Sequence, residues 1–115
     1  MVPVMAVKPT TEAGIWDLVN EGSSQMTPAE GPLWDAVRIH PEKWEQHPYG
    51  DSQGGFWVVG LFGRRVIWFN DIEDGFNVSS YGRYGLIDDY WCNQDNLEIA
   101  IRRIATSIQL GEFGG

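Results

Sequence analysis

Positive charge is scarce in this sequence, and that scarcity excludes one class of partner. The 115 residues contain eight Lys and Arg side chains against sixteen Asp and Glu, which leaves a formal charge of −8 at pH 7. Proteins that bind nucleic acid draw much of their affinity from clustered Lys and Arg side chains on phosphate groups. We therefore expect no nucleic-acid partner.

Cysteine and long apolar runs are also scarce. The single cysteine, Cys92, cannot form an internal disulfide, which is typical of a protein in a reducing compartment. The opening residues MVPVMAV are apolar but too short for a membrane span, and they lack the basic start of a signal peptide. We expect a cytoplasmic protein that does not associate with membranes.

Motifs that hold phosphate groups or metal ions are missing as well. The chain has neither a G-x-G-x-x-G segment nor a Walker-type loop. Counted from Asp71, the acidic turn has Gly75 one place too early for a calcium loop, and Gly82 where its last ligand belongs. His40 and His47 lack cysteine or carboxylate partners at ligand spacing. We expect no cofactor and no bound metal.

Apolar residues make up an ordinary 43% of the chain, and six of them are Trp. Because there is no repeat, linker or low-complexity tract, residues 1–115 are expected to form one domain. The most informative feature is a pair of apolar runs, residues 56–62 and 65–71, on either side of Gly63-Arg64. They predict a β-hairpin, because glycine readily takes the positive φ that a tight II′ turn requires.

The hairpin is predicted to be apolar on both faces. Phe62 would pair with Arg65, Leu61 with Val66, Val59 with Trp68 and Trp57 with Asn70. One face would carry Phe56, Val58, Ile67 and Phe69, and the other Trp57, Val59, Leu61, Val66 and Trp68. A solvated antiparallel sheet should alternate apolar and polar side chains. We therefore expect that both faces are covered, or that one is left for a partner.

Helix signals precede the hairpin. Residues 1–9 favour an extended arm or edge strand, because two prolines interrupt them. Thr10 or Thr11 can cap a first short helix, with Gly22 just beyond its end. Residues 27–30, Thr-Pro-Ala-Glu, have the spacing of a capping box. Gly31-Pro32 interrupts this start, so either a single turn forms there or a second helix begins at Pro32.

The segments around the hairpin are less regular. A short helix is predicted for residues 41–46, with its Trp facing inward, and a flexible loop rich in glycine and other breakers for residues 47–55. A third strand is expected at residues 75–81. Residues 86–91 would form a fourth strand or an extended crossing segment.

The clearest helix is predicted at the C-terminal end, over residues of about 94–109, with Asn93 as its cap. Its apolar side chains recur at helical spacing and must lie on a face of the sheet. They are Leu97, Ala100, Ile101, Ile104, Ala105 and Ile108. Gly111 should end the helix, and residues 112–115 should form a loose tail.

The fold class that follows is α+β. We expect an antiparallel sheet of three to five strands built on the 56–71 hairpin, packed on one face by the C-terminal helix. The short N-terminal helices would lie on the other face or at the end of the sheet. If they left that face bare, Trp57, Val59 and Trp68 would be available for a homodimer.

Acidic side chains are concentrated in one part of the chain. Residues 70–98 carry seven acidic side chains and one Arg, and so hold six of the eight net negative charges. Aromatic anchors give affinity and complementary charge raises association rates, so we expect a basic protein such as a toxin domain as partner. The residues expected to bind it are Asp71, Glu73, Asp74, Tyr84, Asp88 and Asp89.

Two other functions are compatible with the sequence. A small ligand or carbohydrate could bind under the loop at 47–55, using Trp57, Tyr49 and Asp51. A hydrolase could use a pair of the carboxylates, or Cys92 near a helix start, although a free cysteine is more often a small core residue. We expect binding rather than catalysis, and we assign no catalytic residue.

One stretch of the chain resembles a known group of proteins. The segments WFNDIEDGFNVSSY and YWCNQDNL, followed by an amphipathic helix, resemble a family of short uncharacterised bacterial cytosolic proteins with N-D-I-E-x-G-F-N and Y-W-C-x-Q-x-x-L patterns. The resemblance covers residues 56–104 best, and it implies no activity. In size, acidity and aromatic content the chain is also similar to immunity proteins that neutralise bacterial toxins, which implies an inhibitor-like function.

Overall fold

A four-stranded antiparallel sheet and three helices form the part of the protein that this computed structural model describes, residues 9–109 and Gly111. In chain order the elements are α1 (Glu12–Ser24), α2 (Glu30–Val37), β1 (Arg38–Trp44), β2 (Phe56–Phe62), β3 (Arg65–Asn70), β4 (Gly75–Ser80) and α3 (Leu97–Gln109). Strands that follow one another in the chain are neighbours in the sheet. This is the α+β architecture, with a C-terminal helix, that the sequence predicts. The features predicted for residues 1–8 and 112–115 lie outside the described residues.

The turn of the central hairpin forms as predicted. Phe62 pairs with Arg65, and Gly63 has a φ of 56°. Arg64 does not share the positive φ, as expected for a II′ turn with glycine at its first central position. The turn therefore sets the register of the first pairs between β2 and β3.

Further from the turn, β2 contains a bulge that the sequence pattern did not predict. Gly60 pairs with Ile67 and Val58 pairs with Trp68, so Val59 has no opposite residue. The predicted pairings of Val59 with Trp68 and of Trp57 with Asn70 are wrong, and Trp57 pairs with Phe69 instead. Gly60 follows the bulge, and a Cβ there would crowd the Ile67 Cδ1 atom at 2.9 Å and the Val37 carbonyl oxygen at 3.3 Å. Because side chains alternate between faces, the extra residue exchanges the two faces over the first half of β2.

All three helices pack on one face of the sheet, and the placement expected for the N-terminal helices is therefore wrong. The core between helices and sheet consists of Ile15, Val19, Trp34, Val37, Val59, Ile67, Phe69, Phe76, Leu97, Ala100, Ile101 and Ile104. Gly22 lies within α1 rather than beyond its end, and a Cβ there would be 2.6 Å from the Cβ of Leu97. This close contact lets α1 and α3 lie side by side on the same face.

The second face is covered by the extended segment between β4 and α3, residues 81–96. Its Ile87 N–H donates to the carbonyl of Glu45, directly after β1, and its Asp88 N–H donates to that of Ser80, at the end of β4. Twist of a sheet brings diagonal corners toward each other, and this segment connects two such corners. The buried cluster beneath it contains Trp44, Phe56, Val58, Val66, Trp68 and Ile87. The condition under which this sheet face would be available for a homodimer, that it is left bare, is therefore not met.

Residues 41–46 do not form the predicted short helix, because most of them belong to β1. Trp44 nevertheless points inward as expected and is buried. The ladder with β2 is irregular between Arg38 and Glu42. Pro41 lies in this irregular stretch of an edge strand, where a missing N–H is tolerated. Pairing with β2 therefore outweighs the local helix signal.

The predicted cap of α1 is confirmed, and the predicted capping box forms ahead of α2, which begins at Glu30. Gly14 N–H donates to the Thr11 hydroxyl at 3.0 Å, so Thr11 is the cap of α1. At α2 the capping box is reciprocal: the Glu30 N–H donates to the Thr27 hydroxyl, and the Thr27 N–H donates to the Glu30 carboxylate. Asn93 does not cap the C-terminal helix as predicted, because α3 begins at Leu97 and the Asn93 N–H donates to Asn77 Oδ1.

Candidate functional site

A stack of aromatic rings leads from the second core to the surface. Tyr90 lies 5.9 Å from Trp68 and 6.2 Å from Phe56, both of them buried, measured between ring centroids. On its outer side Tyr90 stacks on Tyr49 at 4.0 Å, and Tyr49 is half exposed. The outer ring is thus supported by the core rather than projecting freely into solvent.

A buried amide, Asn70, holds the chain around this stack. Its Nδ2 atom donates to the Tyr90 hydroxyl and to the Trp91 carbonyl, each at 2.9 Å. Its Oδ1 atom accepts the N–H groups of Ile72 and Glu73. One side chain therefore fixes both the turn after β3 and the extended segment over the second face. Asn70 therefore caps the turn that follows β3.

Trp91 is held by a carboxylate that the sequence placed among the binding residues. The Trp91 indole N–H donates to Asp89 Oδ2 at 2.6 Å, while Asp89 Oδ1 accepts the N–H and the hydroxyl of Ser80. Burial alone would raise the pKa of Asp89, but these hydrogen bonds outweigh it and lower the pKa. Asp89 is therefore an ionised structural group, and it orients an indole that is 51% exposed.

These contacts define a surface that we call the aromatic patch, consisting of Tyr49, Ile72, Glu73, Tyr90 and Trp91. The Glu73 carboxylate is near enough to help raise the pKa of Tyr90, although burial is the larger cause. Asp74, next in the turn, is exposed and has a φ of 60°. Among the described residues, no cation lies within ion-pair distance of Glu73 or Asp74.

The loop at residues 47–55, which the sequence predicted to be flexible, is tied down by hydrogen bonds. It contains a short 3-10 turn, Asp51–Gln53, and the Gly50 N–H donates to the carbonyl of Gln46 at 2.8 Å. The Lys43 ammonium donates to the carbonyls of Gln53 and Gly55. Burial lowers the pKa of Lys43.

A second cluster of titratable groups lies on this loop. His47 Nδ1 is 2.5 Å from Asp51 Oδ1, and His47 Nε2 is 3.6 Å from Glu45 Oε1. The hydrogen bond with Asp51 raises the pKa of His47. All three side chains are exposed, so the arrangement is an ordinary surface ion cluster.

The structure does not bring together the three residues expected to bind a small ligand. Trp57 belongs to the helix-covered face, and its indole donates to the Thr10 carbonyl at 2.7 Å. Tyr49 stacks on Tyr90 over the opposite face. Asp51 is engaged with His47.

The other predicted binding residues are dispersed. Asp71 accepts the Thr10 N–H and the Gln53 side-chain amide, so it tethers chain segments. Tyr84 lies on the β1 side, where its ring contacts Trp44 and its hydroxyl donates to Glu42. This hydrogen bond raises the pKa of Tyr84.

In the described part of the chain, the side chains considered for catalysis do not form an arrangement suited to it. Cys92 is exposed and is not the small core residue expected. It lies in the extended segment that precedes α3. Asp88 is exposed, but both carboxylate oxygens of its neighbour Asp89 accept hydrogen bonds from the protein. Asp88 and Asp89 therefore do not form a pair of free carboxylates. Within residues 9–109, no three His, Cys, Asp or Glu side chains converge as metal ligands.

A groove of about 270 Å³ lies between α3 and the outer edge of β4. Val78, Ala100 and Ile104 form its apolar floor, and Trp91 and Arg103 stand at its rim. Arg103 donates to Asp95 Oδ2 at 2.9 Å, so its charge is balanced. Trp91 therefore belongs both to this edge groove and to the aromatic patch.

This surface depends most on Tyr90 and Trp91, neither of which was among the binding residues predicted from the sequence. The available signal was two adjacent aromatic residues in a segment that predicted no regular helix. Their importance follows from two kinds of contact. Asn70 is distant from both residues in the sequence, and the contact of Trp91 with Asp89 follows no helix or strand period.

Comparison with known proteins found no matching family model, no matching curated protein and no matching solved structure. The likeness to short bacterial cytosolic proteins and to immunity proteins therefore stays a prediction. Within residues 9–109, each helix is too short or too polar to span a lipid bilayer.

Proposed function

We propose that this protein is a non-enzymatic binding domain, similar in function to an immunity protein or inhibitor, whose aromatic patch meets a basic protein. The observation that carries the proposal is the pair of half-exposed rings, Tyr49 and Trp91, which Tyr90 and Asn70 connect to the turn that carries Glu73 and Asp74.

Fixed aromatic rings suit binding, because little conformational entropy is lost when a partner packs against them. Tyr49 is supported by Tyr90, and the Trp91 indole is oriented by Asp89. Aromatic anchors of this kind supply much of the free energy of association at protein interfaces.

The negative charge near the aromatic patch favours a partner whose surface is positively charged. Carboxylates without a cation in reach attract a basic surface, which raises the association rate and disfavours acidic competitors. Asp95 is paired with Arg103, and the carboxylates of Asp71 and Asp89 are engaged by donors within the protein, so the carboxylates most available to a partner are those of Glu73, Asp74 and Asp88.

The test begins with affinity capture from the source organism, followed by measurement of Kd with the purified partner. Trp91→Ala should weaken binding by about thirtyfold, the effect of a hot-spot residue. The double reversal Glu73→Lys with Asp74→Lys should slow association and reduce its dependence on salt.

The matched control is Asp17→Lys with Asp35→Lys, which makes the same change in net charge at exposed positions of α1 and α2, elements of the opposite face. It should leave Kd within about twofold. Equal effects of the two double reversals would show that net charge, and not the aromatic patch, governs binding.

A further inference from the structure

The outer edge of β4 has one residue whose backbone is open to a partner. The Phe76 N–H donates outward to the Asp95 carbonyl, and the Ser80 N–H donates outward to Asp89 Oδ1. Since the direction of N–H groups repeats every second residue in a strand, Val78 also directs its N–H and C=O outward. In the described part of the chain, neither group has a hydrogen-bond partner.

The edge groove lies where a residue paired with Val78 would place its side chain. In an antiparallel pair, directly opposite side chains are on the same face of the sheet. The Val78 side chain is on the helix-covered face, where Ala100 and Ile104 form the groove floor. The volume, about 270 Å³, is at the small end for a complete ligand and suits one large apolar side chain.

The acidic side chains at the two ends of β4, the strand beside the groove, indicate the rest of the occupant. Asp74 precedes the first residue of β4, and Asp88 is bonded through its N–H to the last one, Ser80. Both side chains are exposed, and among the described residues no cation lies within ion-pair distance of them. Basic side chains flanking the apolar residue would meet these carboxylates.

We infer that the edge groove binds a short extended peptide segment with one large apolar residue between basic residues, through a single antiparallel bridge to Val78. The inference rests on the proposed function in that it assigns the segment to the basic partner protein. Pairing is limited to one residue, because the Phe76 N–H and both the N–H and the C=O of Ser80 are already hydrogen-bonded within the protein.

The probe is the pentapeptide Ac-Lys-Thr-Leu-Thr-Lys-NH2, titrated into ¹⁵N-labelled protein and followed by NMR. The expected result is saturable shifts at the Val78 amide and the Trp91 indole, with Val78 protected from hydrogen exchange. Methylation of the Leu nitrogen removes the donor to the Val78 carbonyl and should weaken binding at least about tenfold. The analogue with Glu in place of both Lys should bind more weakly still.

Ser107→Phe supplies a test on the protein side. Ser107 is half-buried at the groove and a Phe there would occupy it, whereas Thr106→Phe puts the same ring at an exposed neighbouring position of α3. Peptide binding should be lost in the first variant and kept in the second. Equal binding by the peptide and its N-methyl analogue, or shifts centred away from Val78, would overturn the inference.

The outcomes separate this inference from the proposed function. If the peptide does not bind at Val78 but a captured partner still depends on Glu73 and Asp74, the inference is overturned and the proposed function stands. If peptide binding is as expected but no partner depends on those residues, the proposed function fails instead. Val78 shifts that appear on raising protein concentration alone would mean that a second copy occupies the groove, which also overturns the inference.

Discussion

The Glu30 carboxylate accepts a hydrogen bond from the Arg102 guanidinium at 2.7 Å, and this contact joins the start of α2 to the middle of α3. The same carboxylate completes the capping box with Thr27. The Glu30 carboxylate thus both caps the start of α2 and connects α2 to α3 in the helix layer that covers the sheet.

Glu30→Gln should make the protein less stable at neutral pH and flatten its response to acid. The hydrogen bond from Arg102 and that from the Thr27 N–H hold the pKa of Glu30 below its ordinary value of 4.5. A carboxyl group whose pKa is lower in the folded state stabilises it above that ordinary value, and the stability is lost as pH falls through the folded pKa. Urea unfolding between about pH 7 and pH 3 measures the difference in the free energy of unfolding between the wild type and Glu30→Gln.

The control for Glu30 is Asp35→Asn, which removes one charge from an exposed position of the same helix. It should leave the pH dependence close to that of the wild type. If the difference in stability between the wild type and Glu30→Gln stayed constant down to about pH 3, the predicted link between the lowered pKa of Glu30 and stability would be contradicted.

Gly22→Ala should destabilise the protein although alanine favours helices. A Cβ at this position would lie 2.6 Å from the Leu97 Cβ, so α1 and α3 would have to separate, at a cost of about 1–3 kcal/mol. Gly31→Ala in α2 is the control, because a Cβ there meets nothing within 4 Å apart from its neighbours in the chain. Because Gly31 precedes Pro32, which restricts a residue with a Cβ, this substitution should change stability by less than about 1 kcal/mol. Thermal unfolding of both variants measures the difference, and equal destabilisation by the two substitutions would contradict the role of the Gly22 contact.

Ser79→Ala should cost about 1–3 kcal/mol, because it leaves two groups without partners. The buried Trp68 indole donates to the Ser79 hydroxyl at 2.8 Å, and that hydroxyl donates to the Asp89 carbonyl. Trp68→Phe removes the indole N–H, so the two substitutions together should cost less than their separate costs combined. A double-mutant cycle by urea unfolding measures this coupling, and strict additivity would show that the hydrogen bond contributes nothing.

His47 should titrate above the ordinary histidine pKa of 6.5, because of its hydrogen bond with Asp51. Since its pKa is raised in the folded state, the contact stabilises the protein fully below about pH 6.5, and that stability is lost as pH rises through the folded pKa. Asp51→Asn should return the titration toward 6.5, as followed by NMR of the imidazole ring. Asp74→Asn, an equal loss of charge outside the contact, should not move it.

Local signals predicted much of the secondary structure. The cap at Thr11, the capping box at residues 27–30 and the turn at Gly63 each follow from interactions within a few residues, so their sequence patterns are specific. Residues 41–46 show where such signals fail. A short segment with weak helix preference becomes a strand when a neighbouring strand supplies its hydrogen bonds and buries its Trp.

The candidate site was less predictable than the fold. Acidic residues near positions 70–98 were visible in the sequence, but whether each is free or engaged depends on contacts that only folding creates. Asp89 and Asp71 accept hydrogen bonds within the protein, whereas Glu73 and Asp74 form no ion pair in the described part of the chain. Charge counting alone could not separate these groups.

By itself, the amino-acid sequence determined that this chain forms an antiparallel hairpin with two apolar faces and a C-terminal amphipathic helix, because periodicity and turn chemistry are local properties. Tertiary structure alone decided which layer covers each face. The bulge at Val59 exchanges the faces of β2, the close approach at Gly22 places the helices together, and twist brings Glu45 and Ser80 within reach of one crossing segment. These are relations between distant residues, and no pattern of neighbours along the chain encodes them.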